Sequence, residues 1–507
     1  MEAATIGLLA LISVWAIKRL SEYSKIRPPY PPGPKPKPFI GNLLDFPATS
    51  KEYVEWGKQY KSTILYAEVL GTRIVIVNSQ QDAEELFESP TRARMYSDRP
   101  VIPIVPLMDC DYNISIMRYG EEWRQHRKIC QNHFNAHAAR NYESIQMAKV
   151  RQLLQGLLDT PKEFDIHNKM FSVSLTMSMM YGYEVESVQD PCVTMADLAL
   201  TIGARLSVPG GSMLNVIPAL RHIPAWLPGA PSYEGIKQVR ALTHEVKRIP
   251  MEFVKKSFEN GTVTPSLVTD FYERKYTVGA TKEEEEMVKN VAFTVYGAAS
   301  DTTISSTGTF FYAMAANPDV QKKAQAEIDL VIGTKRLPTL ADRGSLPYIE
   351  AVYREVMRFN PPVPLSVPHC LSEDDYYKGY FIPKGDYFRY APAAMTHDEE
   401  VYPEPFSFKP ERFFDEQGNL NTNDRILAYS FGRRACVGKH VASSTMWLLI
   451  ASILACYNIG KAKDGDGNDI EINAEFDEDG FLSHKRKFEC SFVVRSLASQ
   501  QLIEETN

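Results

Sequence analysis

Hydrophobic positions change their period along the chain, and each change marks a boundary. Ala3–Ile17 is apolar almost throughout, and Lys18 and Arg19 follow it. About fifteen residues make roughly 22 Å of helix. That falls short of a ~30 Å hydrocarbon core, a gap that bilayer thinning or snorkelling by Lys18 and Arg19 closes. No basic residue precedes the run and no small-x-small site follows it, so an uncleaved anchor over residues 1–20 is expected rather than a signal peptide. The positive residues after it place the rest of the chain on the cytoplasmic side. Pro28-Pro29-Tyr30-Pro31-Pro32-Gly33-Pro34 continues to Pro38. Proline fixes φ, so residues 21–40 form a stiff hinge.

Beyond the hinge, Thr63–Val69 and Thr72–Val77 read as two strands of a hairpin around Gly71. From about residue 80 to 360 helical periodicity dominates. The clearest helix starts near Thr281, which forms a capping box with Glu284. Glu283–Glu286 suit its positive end. It runs towards Phe311, and its apolar middle is expected to cross the core. A second helix, Pro347–Phe359, is stopped by Asn360-Pro361-Pro362. His440–Ile450 reads as a buried helix. Short strands are expected near Tyr377–Ile382, and the acidic stretch Asp464–Asp479 reads as a loop before a terminal hairpin. The predicted class is mainly α with a smaller β region (α+β), in one large domain over residues 41–507. No internal repeat interrupts it.

Composition narrows the class. The 507 residues are 44% hydrophobic and 23% charged, which is globular. A net charge of −7 gives no global basic excess for nucleic acid. The seven cysteines, Cys110, Cys130, Cys192, Cys370, Cys436, Cys456 and Cys490, are scattered without CxxC spacing. This is neither a disulfide framework nor a zinc site, and it fits a reducing compartment. The sequons at Asn113 and Asn260 are read as unmodified.

Four stretches carry candidate chemistry. In Tyr429–Gly438 the order Gly432-Arg433-Arg434-Ala435-Cys436-Val437-Gly438 sets a cysteine in a tight loop at a helix N-terminus. Backbone N–H groups and the helix dipole there favour a thiolate, a nucleophile or metal ligand, and the arginines suit an anion. A structural cysteine at a helix start remains open on this stretch alone. In the long helix, Gly297-Ala298-Ala299-Ser300-Asp301-Thr302-Thr303 puts a carboxylate and hydroxyls mid-core. That is costly unless they are paired; a helix-packing patch and a proton relay lining a cavity are both open. Glu355 and Arg358 share a helix face, and Pro410-Glu411-Arg412-Phe413 follows later. Trp123 and Arg127 lie one turn apart, so that Arg127 can hold an anion while Trp123 packs over it; a basic surface helix with a half-buried Trp is equally open.

Taken together and in this order, these elements resemble the cytochrome P450 family of haem-thiolate monooxygenases across nearly the whole chain. The resemblance implies haem b with Cys436 as axial ligand to the iron. It makes Trp123, Arg127, His369 and Arg434 the groups that hold the haem propionates. Gly432 and Gly438 would let the backbone close around the sulfur. Glu355, Arg358 and Arg412 would be structural, and Asp301 and Thr302 the acid-alcohol pair that delivers protons to dioxygen. Ile104, Phe293, Ala298, Val363, Leu365 and Phe481 would line the substrate space. Two positions depart from the family pattern. Tyr429 stands where Phe is usual and adds a hydroxyl that needs a partner. Ala299 stands where Gly is usual, and its methyl would narrow the oxygen groove or reduce the local helix distortion.

No glycine-rich nucleotide fingerprint is present. The resemblance therefore implies electrons from NADPH through a separate, membrane-bound NADPH–cytochrome P450 reductase. Arg124, Lys128, Arg433 and Lys439 offer a basic docking face. The expected setting is the endoplasmic reticulum membrane, with a monomeric, cytosolic catalytic domain. Pro218–Pro231 is similar to fungal P450s of secondary metabolism, O-methylsterigmatocystin oxidoreductase-like, whose substrates are terpenoid, polyketide and indole skeletons. A reductase-independent haem-thiolate isomerase or dehydratase and a non-enzymatic haem-binding protein are the alternatives; Thr302 counts against the first, the acid-alcohol pair and the pocket against the second.

Overall fold

The computed structural model describes residues 29–47, 49–208, 211–223, 233–478 and 481–505, together with Ser13 and Ile17. The expected anchor, the first part of the proline hinge and residues 224–232 lie outside the described residues. The chain divides into two compact units. Only helices of two turns or more are labelled below.

The smaller unit takes residues up to Pro100, Leu365–Met395 and Phe431–Arg433. It holds α1 (Ser50–Tyr60), β1 (Ile64–Val69), β2 (Thr72–Val77) and α2 (Gln80–Phe87). Its later strands are β3 (His369–Cys370), β4 (Asp375–Tyr377), β5 (Tyr380–Ile382) and β6 (Tyr387–Tyr390). The expected hairpin is present, with Ile64 opposite Val77 and Val69 opposite Thr72. Leu70 (φ 47°) and Gly71 (φ 88°) form its two-residue turn, the left-handed pair that suits the strand twist. The sheet order is β1-β2-β6-β3, with β2 parallel to β6. Its apolar face packs Leu65, Val69, Ile74 and Ile76 on Tyr53, Ala391 and Ala394. The strands expected near Tyr377–Ile382 are the separate ribbon β4–β5.

The larger unit is helical. In chain order it holds α3 (Glu121–Phe134), α4 (Glu143–Asp159), α5 (Phe164–Tyr181), α6 (Pro191–Ser207), α7 (Glu234–Asn260) and α8 (Leu267–Thr277). Then follow α9 (Lys282–Ala316), α10 (Pro318–Val331), α11 (Pro347–Phe359), α12 (Lys439–Cys456) and α13 (Leu497–Glu504). Thr281 caps α9 in the expected capping box with Glu284. The helix runs five residues past Phe311 to Ala316, because Phe310–Ala315 are all buried and tertiary packing extends it. At 35 residues it is about 52 Å long, and it packs against α3, α5, α8, α11 and α12.

Helix α12 is buried at Val441 and throughout Thr445–Cys456. Among the described residues it is the one helix long and apolar enough to cross a membrane, and its burial makes it a core helix. Gln146 of α4 ties down its first turns, donating to Ser444 Oγ at 2.9 Å and Thr445 Oγ1 at 2.8 Å. Two antiparallel ribbons complete the unit: β7 (Tyr457–Lys461) with β10 (Cys490–Val494), and β8 (Phe476–Asp477) with β9 (His484–Lys485).

Candidate haem-thiolate site

The cysteine loop is shaped before it reaches its sulfur. Gly432 has φ +61°, and a Cβ there would meet Phe87 O at 2.0 Å. Only glycine fits that position, and its N–H donates to Glu88 Oε1 at 2.9 Å. Further on, Cys436 N–H donates to Tyr429 O at 2.8 Å and closes the turn. The Tyr429 hydroxyl has its partner: it lies 3.0 Å from the Tyr353 hydroxyl. Gly438 departs from expectation. Its φ is −85°, and a Cβ there would meet nothing within 4 Å, so steric closure of the loop falls to Gly432.

Cys436 is exposed, while Phe431 and Arg434 of its loop are buried. Burial among those neighbours pushes its thiol up, against the Gly438 N–H and the charges of Arg127 and Lys439, which pull it down. Those N–H and cation contacts favour the thiolate, and a bound metal cation would offset the desolvation that opposes it.

Around this loop the larger unit gathers three of the expected anion-binding side chains. The Arg434 guanidinium lies over the Trp123 ring at 4.3 Å, and that of Arg127 at 5.7 Å. Arg434 donates to Met117 O at 2.8 Å and Ile114 O at 3.2 Å. Arg127 Nη2 donates to Ala435 O, one residue before the cysteine. Two strong donors are left over: Trp123 Nε1 and Arg127 Nε are buried without a hydrogen-bond partner among the described residues. Such orphans are rare in a folded core and need an explanation. A carboxylate-bearing group supplies one, and haem carries two. In the smaller unit His369 is 1% exposed, and its Nδ1 lies 2.7 Å from Tyr96 O.

The middle of α9 behaves as the wall of a space. Ala298 is exposed although Phe293 and Tyr296 before it and Ser305–Thr307 after it are buried. A Cβ on Gly297 would touch the Leu200 side chain at 3.3 Å. The helix is unbroken through Ala299, in line with the extra methyl favouring regular backbone. Thr302 Oγ1 donates to Ala298 O at 2.8 Å. Asp301 turns elsewhere, with Oδ1 3.3 Å from His484 Nε2 on β9. The adjacent acid and alcohol therefore address different partners. His484 escaped sequence analysis because nothing in Leu482-Ser483-His484-Lys485 marks it; only the tertiary course of β9 brings it there.

The expected structural triad is assembled. Glu355 is fully buried and accepts from Arg358 Nε at 2.7 Å, Arg358 Nη2 at 2.9 Å, Arg412 Nε at 3.2 Å and Lys409 N at 2.7 Å. Arg358 Nη1 donates to Thr396 O and Pro405 O, both at 2.9 Å. Of the expected substrate-facing residues, Ile104 is fully buried in a cluster with Leu214, Leu220 and Val239, and Phe293 is 3% exposed. Ala298, Val363, Leu365 and Phe481 keep accessible surface.

These side chains fit a haem held by a cysteine thiolate, and the whole chain was compared with known proteins. The family model for cytochrome P450 matches residues 31–492. Cytochrome P450 monooxygenase 208 of Postia placenta is 37% identical, over 94% of this chain and 92% of its own. Cytochrome P450 monooxygenase ple1 of Rhodocybe pseudopiperita is 35% identical over 98% and 96%, and claR of Ampulloclitocybe clavipes 36% over 96% and 90%. The chain belongs to the cytochrome P450 family, and it is a monooxygenase that takes haem through a cysteine thiolate and uses NADPH-derived electrons.

Proposed function

We propose that this monooxygenase inserts one oxygen atom into a small lipophilic natural product of terpenoid, polyketide or indole type. Electrons reach it from NADPH through a separate NADPH–cytochrome P450 reductase. Residues 1–20 anchor it in the endoplasmic reticulum membrane, and a monomeric catalytic domain, residues 41–507, works on the cytosolic side. Bound haem supplies the activation of dioxygen.

The chain's own residues divide the remaining work. Cys436 gives the thiolate. Trp123 Nε1, Arg127 Nε and the Arg434 guanidinium hold propionate oxygens, charge-assisted bonds of the stronger kind. Thr302 and Asp301 hold and pass protons on the oxygen side. Ala298, Phe293 and Val363 exclude water and orient an apolar substrate. The observation that carries this reading is the pair of orphaned donors, Trp123 Nε1 and Arg127 Nε, beside the cysteine loop.

Two measurements test it. Cys436→Ala should abolish the thiolate-type Soret band of the ferrous–CO complex; an unchanged band removes Cys436 as ligand. Membrane-bound protein co-expressed with a reductase and neighbouring biosynthetic enzymes should yield hydroxylated metabolites only with NADPH. Product formed without NADPH or reductase would refute the oxygenation reading.

A further inference from the structure

The β8–β9 hairpin sets His484 on the middle of α9, and the residue before it is fixed from three directions. Ser483 N–H donates to Pro362 O at 2.9 Å. Ser483 Oγ donates to Asn360 Oδ1 at 2.8 Å, and Asn360 Nδ2 in turn donates to Thr309 Oγ1 at 3.1 Å. Ser305 Oγ donates to Ser483 O. Ser305 lies one helical turn after Asp301, on the same face. The strand pinned at Ser305 therefore passes Asp301, and His484 Nε2 lies 3.3 Å from Oδ1. Neither group is sealed: the ring is 35% exposed and the carboxylate 50%.

The other charged groups near the ring are already engaged. Asp477, opposite His484 in the ribbon, bonds Arg486, which also holds Glu475. The Lys485 amine is folded over Tyr312, Phe476 and Phe488 and donates to Asn473 Oδ1 at 2.9 Å. On α9 the facing group is Asp301.

We propose that His484 is the positioning and proton-supply partner of Asp301, an inference that rests on reading Asp301 as the relay carboxylate. The ring holds the carboxylate in one rotamer. In its protonated form it donates Nε2–H to Oδ1; the proton passes to the carboxylate, the imidazole becomes neutral, and water reprotonates it. A half-exposed ring suits that exchange, because it touches solvent and the carboxylate at once. Imidazole can take up a proton at one ring nitrogen and give one from the other, as such an exchange requires.

The test uses the full-length, haem-loaded protein with reductase. Peroxide released per NADPH is measured from about pH 6 to about pH 8.5 for wild type, Asp301→Asn, His484→Gln and His484→Asn. The ring 15N signal of His484 is followed separately. Asp301→Asn should raise peroxide release several-fold. His484→Gln should do the same with an intact ferrous–CO band and a flattened pH profile, because an amide can hold Asp301 but cannot ferry a proton. The His484 Nε2 signal should move in Asp301→Asn. Wild-type coupling and pH profile in both His484 variants, with Asp301→Asn uncoupled, would overturn the role of His484 and spare the relay. Normal coupling in Asp301→Asn would overturn both. An unmoved Nε2 signal would overturn the contact itself, whatever the variants at 484 do.

Discussion

Glu355 shows how one buried side chain can hold several segments. Its two oxygens meet four donors from α11, Lys409 and Arg412. Glu355→Ala leaves two buried guanidinium groups facing each other, and breaking a buried pair in this way costs about 3–5 kcal/mol. The expected outcome is little soluble haem-loaded protein and a sharply lower unfolding temperature, read by calorimetry and by the ferrous–CO band. Near-normal stability would mean that backbone acceptors such as Thr396 O and Pro405 O suffice for Arg358. Trp123 gives a prediction of opposite character. Its Nε1 is an orphan without a ligand, so Trp123→Phe removes an unsatisfied donor, worth about 1–3 kcal/mol when buried. The haem-free protein should be as stable as wild type or more so, while haem is retained less well. Parallel melting curves and haem-transfer rates check both halves, and equal losses in the two forms would contradict a propionate role.

Among the elements, the turn before α11 carries a pH dependence. Thr339 and Asp342 form a capping box around Leu340–Ser345, and Arg336 donates to both Asp342 oxygens at 2.7 Å. The Arg336 guanidinium, helped by the Thr339 N–H and hydroxyl, holds the Asp342 carboxyl well below its ordinary 3.8. A carboxyl depressed in the folded state contributes stability above the unfolded pKa and loses it as pH falls through the folded one. Asp342→Asn should therefore cost about 1 kcal/mol at neutral pH, the usual value of a cap. The gap from wild type should shrink on acidification below about pH 4. Urea unfolding at a series of pH values measures it; a constant gap would contradict the linkage.

The same elements mark what local sequence determines. The Thr281–Glu284 box, the Pro347 start and the Asn360-Pro361-Pro362 stop act within a few residues, so the start of α9 and both ends of α11 were legible. The β1–β2 hairpin was legible for the same reason. The parallel pairing of β2 with β6, some 310 residues later, has no local signal. Nor does the seat of His484, which depends on Ser305, Asn360 and Pro362 arriving together. At the cysteine loop, local reasoning found the helix terminus, while the Arg127 contact to Ala435 O depends on chain from elsewhere.

In the larger unit, the candidate site borders the main core. The larger unit's cluster runs from Trp123 through Phe293, Phe310, Tyr353 and Leu448 to Phe492 with little exposed surface. Within it Ala298 and Cys436 remain accessible, and Trp123 Nε1 and Arg127 Nε remain unpaired. Buried donors unpaired among the described residues forgo hydrogen bonds that a bound group can supply. A ligand that binds the folded state alone stabilises it by mass action, about 2.7 kcal/mol at a hundredfold excess over Kd. Extracting haem should thus lower the unfolding temperature, and free haem should restore it in proportion to the logarithm of its concentration. Hydrogen exchange should locate the change. Amides of Tyr429–Ala442 and of residues 297–302 should lose protection most, since those segments carry the proposed ligand and relay groups. The β1–β2 hairpin, held by its own register and the Tyr53–Ile76 cluster, should keep its protection. Uniform loss across the chain would mean that haem stabilises the protein globally rather than at these segments.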